Sequence, residues 1–423
     1  MRRLPYLLLC VSGVAIAQPP PADPPAAPDA SRAAPDAPPP PPPAEVLPAV
    51  VAPVEAPPPP APPEPSDKEG EAQAPYAPSS VWLDGYLQPQ FRFRQDSPAQ
   101  FDENGFRFAR ARAIVHGKTR AGNVDLAAFV EAELQPTFDM VDAFVTATRK
   151  LPHKGQVSLD VGQMRVPISR QQLLSDSRLA FVDKGQVATI APRRDLGARL
   201  GFVVPKLPQV RVVGGVFNGE GPNQVQNINQ KFLYAGRLEI TPLGRETQLA
   251  ESAFGGHFLT AAVSVGLNKL TAGTRREDVR YLGFDVSGSW KGISGSFEYL
   301  DVDHSFTEAG AMTVEDYRAN GFIAQLNYML PVKLPPFRQG RLELGGRVEE
   351  IDRNDTVPIA QLGDPEQSVR EITGVVSFYV RMHSLKVQLA FSHFDEIETR
   401  TSVDEDAVYD NDQLLLQVTY RLE

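Results

Sequence analysis

The residues with the clearest capacity for chemistry are Arg110 and Arg112, in the run Phe106-Arg107-Phe108-Ala109-Arg110-Ala111-Arg112. A planar guanidinium grips phosphate or carboxylate through paired hydrogen bonds, so two on one face would form an anion-attracting rung. The same pair could instead form salt bridges with Glu131 and Glu133, and both readings stand at this level. A second cationic group lies between positions 165 and 194. It holds Arg165, Arg170, Arg178, Lys184, Arg193 and Arg194 against Asp176 and Asp183, with Asp195 just after. In a chain of formal charge −10 this is a local positive excess. Folded into a confined space it would make a cationic constriction, with Arg178 and Lys184 the best candidates for its lining. Left in solvent it would be a charged loop touching lipid headgroups or outer-layer sugars.

Enzyme chemistry finds little support. The histidines (His116, His153, His257, His304, His383, His393) show no HxH or HExxH spacing, so neither a metal site nor a cofactor is expected. No G-x-S-x-G elbow occurs. Ser392 and His393 are neighbours, but adjacent strand positions point to opposite faces. His393 and Asp395 share a face and read as a rim hydrogen bond rather than a catalytic dyad. The stretch 396–411 is acidic (Glu396, Glu398, Asp404, Glu405, Asp406, Asp410) yet lacks the glycine-turned spacing of a calcium loop.

The elements that must position these side chains are strands. In Leu414–Leu422, Gln417, Thr419 and Arg421 alternate with Leu416, Val418, Tyr420 and Leu422. Similar alternation of polar and apolar residues marks Asp84–Arg94, Val124–Leu134 and Arg341–Glu349. Period two over this length means a strand with one apolar face. Sixteen such segments are predicted: 83–94, 106–117, 123–134, 141–149, 156–164, 195–204, 209–217, 231–241, 256–267, 279–290, 293–303, 318–330, 340–351, 370–381, 385–395 and 412–422. Most have the length of a tilted membrane-crossing strand, and no apolar run after residue 17 is long enough for a membrane helix. Connections tend to alternate short and long, as in Lys291–Gly292 against Arg165–Arg194. Two break the trend: Pro136–Met140 is short for an outer loop, and Pro242–Gly255 is long for an inner turn. The fold class is therefore all-β, a closed antiparallel transmembrane barrel of sixteen strands spanning 79–423. A soluble sandwich would have to bury an apolar face on nearly every long strand.

The N-terminus differs. Arg2 and Arg3, the apolar stretch Leu4–Val14 and Ala15-Ile16-Ala17 read as a signal peptide, residues 1–17. Cys10 is the only cysteine, so the exported chain would hold no disulfide. Residues 18–78 carry 24 of the 40 prolines and read as a disordered, polyproline-like linker that could reach the cell wall. The linker holds nine acids and two bases; with Arg2 and Arg3 set aside, the barrel region keeps a charge of −5. A mildly acidic body argues against nucleic-acid binding.

Specific motifs add a resemblance. Phe106–Arg112 with Gly117-Lys118, then Asp142-Ala143-Phe144-Val145, then Val161-Gly162-Gln163-Met164-Arg165-Val166-Pro167-Ile168-Ser169 resemble segments of the phosphate-selective porin O/P family. Arg194-Asp195-Leu196-Gly197, Gly215–Gly219 and Gly236–Pro242 follow in the family's order. The resemblance covers roughly 84–243, and the second half matches in pattern only. It implies a sixteen-stranded trimeric barrel, a third outer loop folded inward, and phosphate as a solute. The chain ends Tyr420-Arg421-Leu422-Glu423, without the terminal aromatic residue typical of the family.

The combined expectation is an outer-membrane porin, set in outer-membrane lipid, for passive diffusion of small hydrophilic solutes, small anions among them. Two other readings stand beside it. One is a non-conducting barrel that anchors a proline-rich tether to the cell wall. The other is a barrel-embedded hydrolase.

Overall fold

The computed structural model describes residues 79–95, 104–224, 226–244, 251–252, 254, 256–272, 275–307, 316–331, 340–355, 368–396 and 412–422. The expectations for the signal peptide, the linker 18–78 and the acidic loop beyond Glu396 lie outside the described residues. Sixteen strands run β1 (Ser80–Arg94), β2 (Gly105–Ala121), β3 (Val124–Glu133), β4 (Asp139–Lys150), β5 (Gln156–Arg165), β6 (Arg194–Val203), β7 (Val210–Phe217), β8 (Leu233–Gly244), β9 (Phe258–Ala272), β10 (Arg275–Trp290), β11 (Ile293–Thr307), β12 (Tyr317–Met329), β13 (Arg341–Asp352), β14 (Ser368–Arg381), β15 (Leu385–Glu396) and β16 (Gln413–Leu422). Each pairs antiparallel with its neighbours in sequence, and β1 pairs β16 to close the barrel. Between β5 and β6 lie a short helix, α1 (Arg170–Leu173), and two 3₁₀ turns, Asp176–Arg178 and Gln186–Ile190.

Alternation explains the closure. On β16, Gln413, Leu415, Gln417 and Thr419 are buried inside, while Leu414, Leu416, Tyr420 and Leu422 are exposed outside. The same outward row recurs around the wall, as Val263, Val265 and Leu267 on β9, Leu326 and Tyr328 on β12, and Leu389 and Phe391 on β15. A belt of this kind would drive association in water but is solvated by lipid. No described helix is long and apolar enough to cross a membrane, and the strands cross instead. Closure pairs every strand with two neighbours, leaving no open edge in hydrocarbon.

One irregularity decides where the arginines point. Gln88 pairs Arg110, but Pro89 pairs Phe108, so Ala109 is an extra residue on β2. The bulge flips the parity of the strand. Phe106 and Phe108 face outward and are exposed, whereas Arg112 is buried inside. Without that residue, either the phenylalanines or the arginines would be on the wrong face, and a guanidinium in hydrocarbon is costly.

The observed boundaries depart most at β9, β10 and β11, which extend further outward than predicted, and at β2, which runs on to Ala121 at its inner end. Lys269 pairs with Asp278 at 3.5 Å across the β9–β10 extension, so polar residues beyond the apolar belt continue the ladder. The tight inner turn between β10 and β11 uses Lys291 (φ 48°) and Gly292 (φ 88°), both in the left-handed region that two-residue hairpins require.

Candidate functional site

The segment 166–193 folds into the barrel rather than over its mouth. Its own residues explain why. Val166, Ile168, Leu174, Leu179, Phe181, Val182 and Val187 are each almost fully buried. They meet apolar side chains that break the polar pattern of the inner wall. Val166, Ile168 and Val187 belong to one cluster with Leu300, Ile323, Ile351, Val369 and Phe394 from β11 to β15. Phe181 and Val182 pack with Val375, Ala390 and Leu415. Burying one such side chain contributes roughly 1.5–3 kcal/mol, so together they hold the loop down.

Polar pins fix its position. Glu298 on β11 accepts hydrogen bonds from the backbone N–H groups of Arg170 (2.8 Å) and Gln171 (2.9 Å) at the start of α1. Glu349 on β13 accepts from Val187 N–H at 3.2 Å. Arg347 donates to the Asp183 carbonyl at 2.8 Å, and Gln388 to the Ala180 carbonyl at 2.6 Å. The long inner connection between β8 and β9 supplies a further hold. Glu251 reaches into the lumen, accepting from Gln171 Nε2 (2.6 Å) and from Ala180 N–H (3.1 Å). Ser252 bonds His383 at 2.8 Å. The excess length of Pro242–Gly255 thus has a physical reason: part of this connection enters the barrel and supports the loop from below.

Asp176 is the electrostatic centre of the docked loop. It lies 3.0 Å from Arg112, 3.3 Å from Arg110 and 3.6 Å from Lys184. Burial would raise its carboxyl, but Arg110, Lys184, Arg112 and Arg165 outweigh that and hold it well below the usual carboxylate range. Burial pushes the Lys184 ammonium down to about 7, against the opposing pull of Asp176.

The eight cations singled out from the sequence fall into three places. Arg165 and Arg178 line an open cavity of about 360 Å³ beside the docked loop. Arg110, Arg112, Arg170 and Lys184 sit within the docking contacts, and Arg194 beside them joins β6 to β4. Arg112 engages Glu131 at 2.8 Å and Glu133 at 2.9 Å as well as Asp176. Arg110 also reaches Asp183 at 3.3 Å. Arg194 grips Asp142 at 2.9 Å, and Arg170 is enclosed. Arg193 lies exposed just outside β6.

Four arginines beyond these eight line the same cavity: Arg199, Arg211, Arg237 and Arg421. Three have fixed partners. Arg199 meets Asp160 at 2.8 Å, Arg237 meets Asp285 at 2.6 Å, and Arg421 meets Asp84 at 2.7 Å. Arg211 has no carboxylate partner among the described residues and is exposed to the cavity. Each lies on the inward parity of its strand, which was the available signal. Among the described residues no group of His, Cys, Asp and Glu is placed to hold a metal. Ser392 bonds Glu371 and Thr373 inside the wall, while His393 bonds Asp412 on the opposite side.

A closed lipid-facing barrel with a lumen narrowed by an inward loop is the architecture of an outer-membrane channel. The family profile described as phosphate-selective porin O and P matches residues 81–260 and 293–422, and the chain belongs to that family. It is an outer-membrane porin. No curated relative matches the sequence. Among solved structures, the outer-membrane channel DcaP of Acinetobacter baumannii is similar at 12% identity and a TM-score of 0.52, covering 81% of this chain and 97% of that one. OmpT of Vibrio cholerae with its loop L8 deleted gives 12% identity and 0.52, covering 81% and 99%. In-vitro folded OmpT of Vibrio cholerae in a trimer form gives 11% and 0.51, covering 81% and 99%. At these identities the likeness is one of fold.

Proposed function

We propose that this porin passes small hydrophilic solutes by passive diffusion, with a moderate preference for anions such as phosphate and without catalysing a reaction. The observation that carries the reading is the wall of the open cavity. Arg165, Arg178, Arg199, Arg211, Arg237 and Arg421 face Glu131, Asp142 and Glu239 there. The excess is cationic at the lining, although the barrel region as a whole is acidic. The preference is moderate because Asp160, Asp285 and Asp84 neutralise three of these arginines from behind. Arg211, which has no carboxylate partner among the described residues, carries the preference, with Arg178 adding its charge to the same cavity wall. Arg110, Arg112, Arg170 and Lys184 hold the loop that shapes the passage, Arg194 braces β6 against Asp142 of β4 beside it, and Arg193 adds positive charge at its outer end.

The porin works as a homotrimer in this reading. Small side chains on the outward parity of β2 to β4, such as Ala111, Ala113, Ala128 and Ala147, would let a neighbouring protomer approach closely. Reconstitution of the purified chain in planar bilayers tests the function. Discrete conductance steps are expected, with a reversal potential on the anion side in a KCl gradient. Steps without anion preference would refute the selectivity, and absence of steps would refute the channel.

A further inference from the structure

The cavity is not uniformly polar. Trp82, His116, Phe129 and Phe144 stand at directly opposed register positions on four successive strands, β1 to β4. Their ring centroids follow one another at 4.8, 5.2 and 5.3 Å. Trp82 and His116 stack nearly parallel, and Lys118 Nζ lies 5.0 Å over the Trp82 ring. A line of register-matched residues follows the hydrogen-bonding direction, which climbs around the wall of a tilted barrel. The row therefore rises from the inner end, where Trp82 is the third residue of β1, toward the middle of β4.

The apolar core covers one end of this row only. Phe144 rests against the apolar cluster under the docked loop. Trp82 is 38% exposed and Phe129 is half-buried, and the cavity is lined by His116, Phe129 and Phe144. Inward rows of a membrane barrel are ordinarily polar, and an aromatic face left to water gains nothing there. Arg178 and Arg211 border the same cavity.

We infer that the pore favours organic anions with a flat apolar body, aromatic carboxylates being the class. The ring of the solute lies along Phe129 and His116, the latter backed by the stacked Trp82, while Arg211 and Arg178 on the same cavity attract its carboxylate. A cavity of about 360 Å³ admits a solute of this size. The inference rests on the anion-preferring reading of the pore and names a solute class for it.

The test uses the intact porin in planar bilayers, with the KCl current recorded as benzoate, acetate, inorganic phosphate or benzyl alcohol is added. Benzoate is expected to halve the current at about tenfold lower concentration than acetate or phosphate, the scale of one ring-on-ring contact. The double variant Trp82→Ala, Phe129→Ala should reduce that ratio below about threefold, and Phe129→Tyr should preserve it. Circular dichroism establishes that each variant is a folded barrel. Benzoate acting no better than acetate overturns the inference, as does a double variant that keeps the ratio. Benzyl alcohol acting as well as benzoate overturns its charge half. Failure of the underlying anion preference is read separately, as a cation-side reversal potential in KCl alone.

Discussion

Replacing Asp176 by Asn removes one carboxylate from among three cations, and the structure sets the size of the effect. Arg112 keeps Glu131 at 2.8 Å and Glu133 at 2.9 Å, and Arg110 keeps Asp183 at 3.3 Å. Lys184 keeps only the Gln172 carbonyl, at 3.4 Å. Removing one partner of a buried pair costs about 3–5 kcal/mol when the other charge is stranded. Here only Lys184 is stranded, and burial already brings it to about 7, so it can shed its proton instead. The expected loss is therefore about 3 kcal/mol, at the low end of that range. Urea titration of the folded barrel in lipid vesicles measures it. The double variant Asp176→Asn, Lys184→Met should recover about 1 kcal/mol of the loss, because the two groups are coupled. Single-channel records should show the loosened loop as larger, noisier steps. A single variant within about 0.5 kcal/mol of the parent would refute the central place given to Asp176.

Further outcomes follow from the same contacts. Lys184 holds its proton less tightly in the folded chain, at about 7, than at its ordinary 10.5. Between those values the unfolded chain binds the extra proton, so stability rises with pH across the window. Lys184→Met should flatten that rise in thermal unfolding measured from pH 7 to pH 10. Val263→Arg places a charge on the lipid face within β9 and should cost about 2–4 kcal/mol in vesicles. Gly162 has φ 133°, and a Cβ there would sit 2.2 Å from the Ala143 carbonyl oxygen. Gly162→Ala should therefore destabilise by more than about 1 kcal/mol, readable in the same urea titration.

The barrel was legible because lipid imposes a rule on every strand. Leu414, Leu416, Tyr420 and Leu422 must face out, so period two survives along the whole chain. The bulge at Ala109 was not legible, since one extra residue changes parity without changing composition. Docking of 166–193 depended on distant partners. Leu300, Ile323, Ile351 and Val369 share a parity with Glu298, Glu349 and Glu371, so the inner wall of β11 to β14 reads as mixed until the loop is laid against it. The positive excess of that loop was visible, and so was a pairing of the β2 arginines with Glu131 and Glu133, but not the gathering of Arg110, Arg112 and Lys184 around Asp176 or the pairing of Arg194 with Asp142. Arg199, Arg211, Arg237 and Arg421 were passed over because a single inward arginine on a strand looks like any polar position. Their convergence is a property of the closed wall and not of any local motif.

The central claim, that solutes pass along an arginine-lined wall beside the docked loop, is tested most directly by the reversal potential of the intact porin across a tenfold KCl gradient. An anion-side potential that moves toward zero in the double variant Arg178→Ala, Arg211→Ala is the expected result. An unchanged potential in that variant, with conductance steps still present, would contradict it.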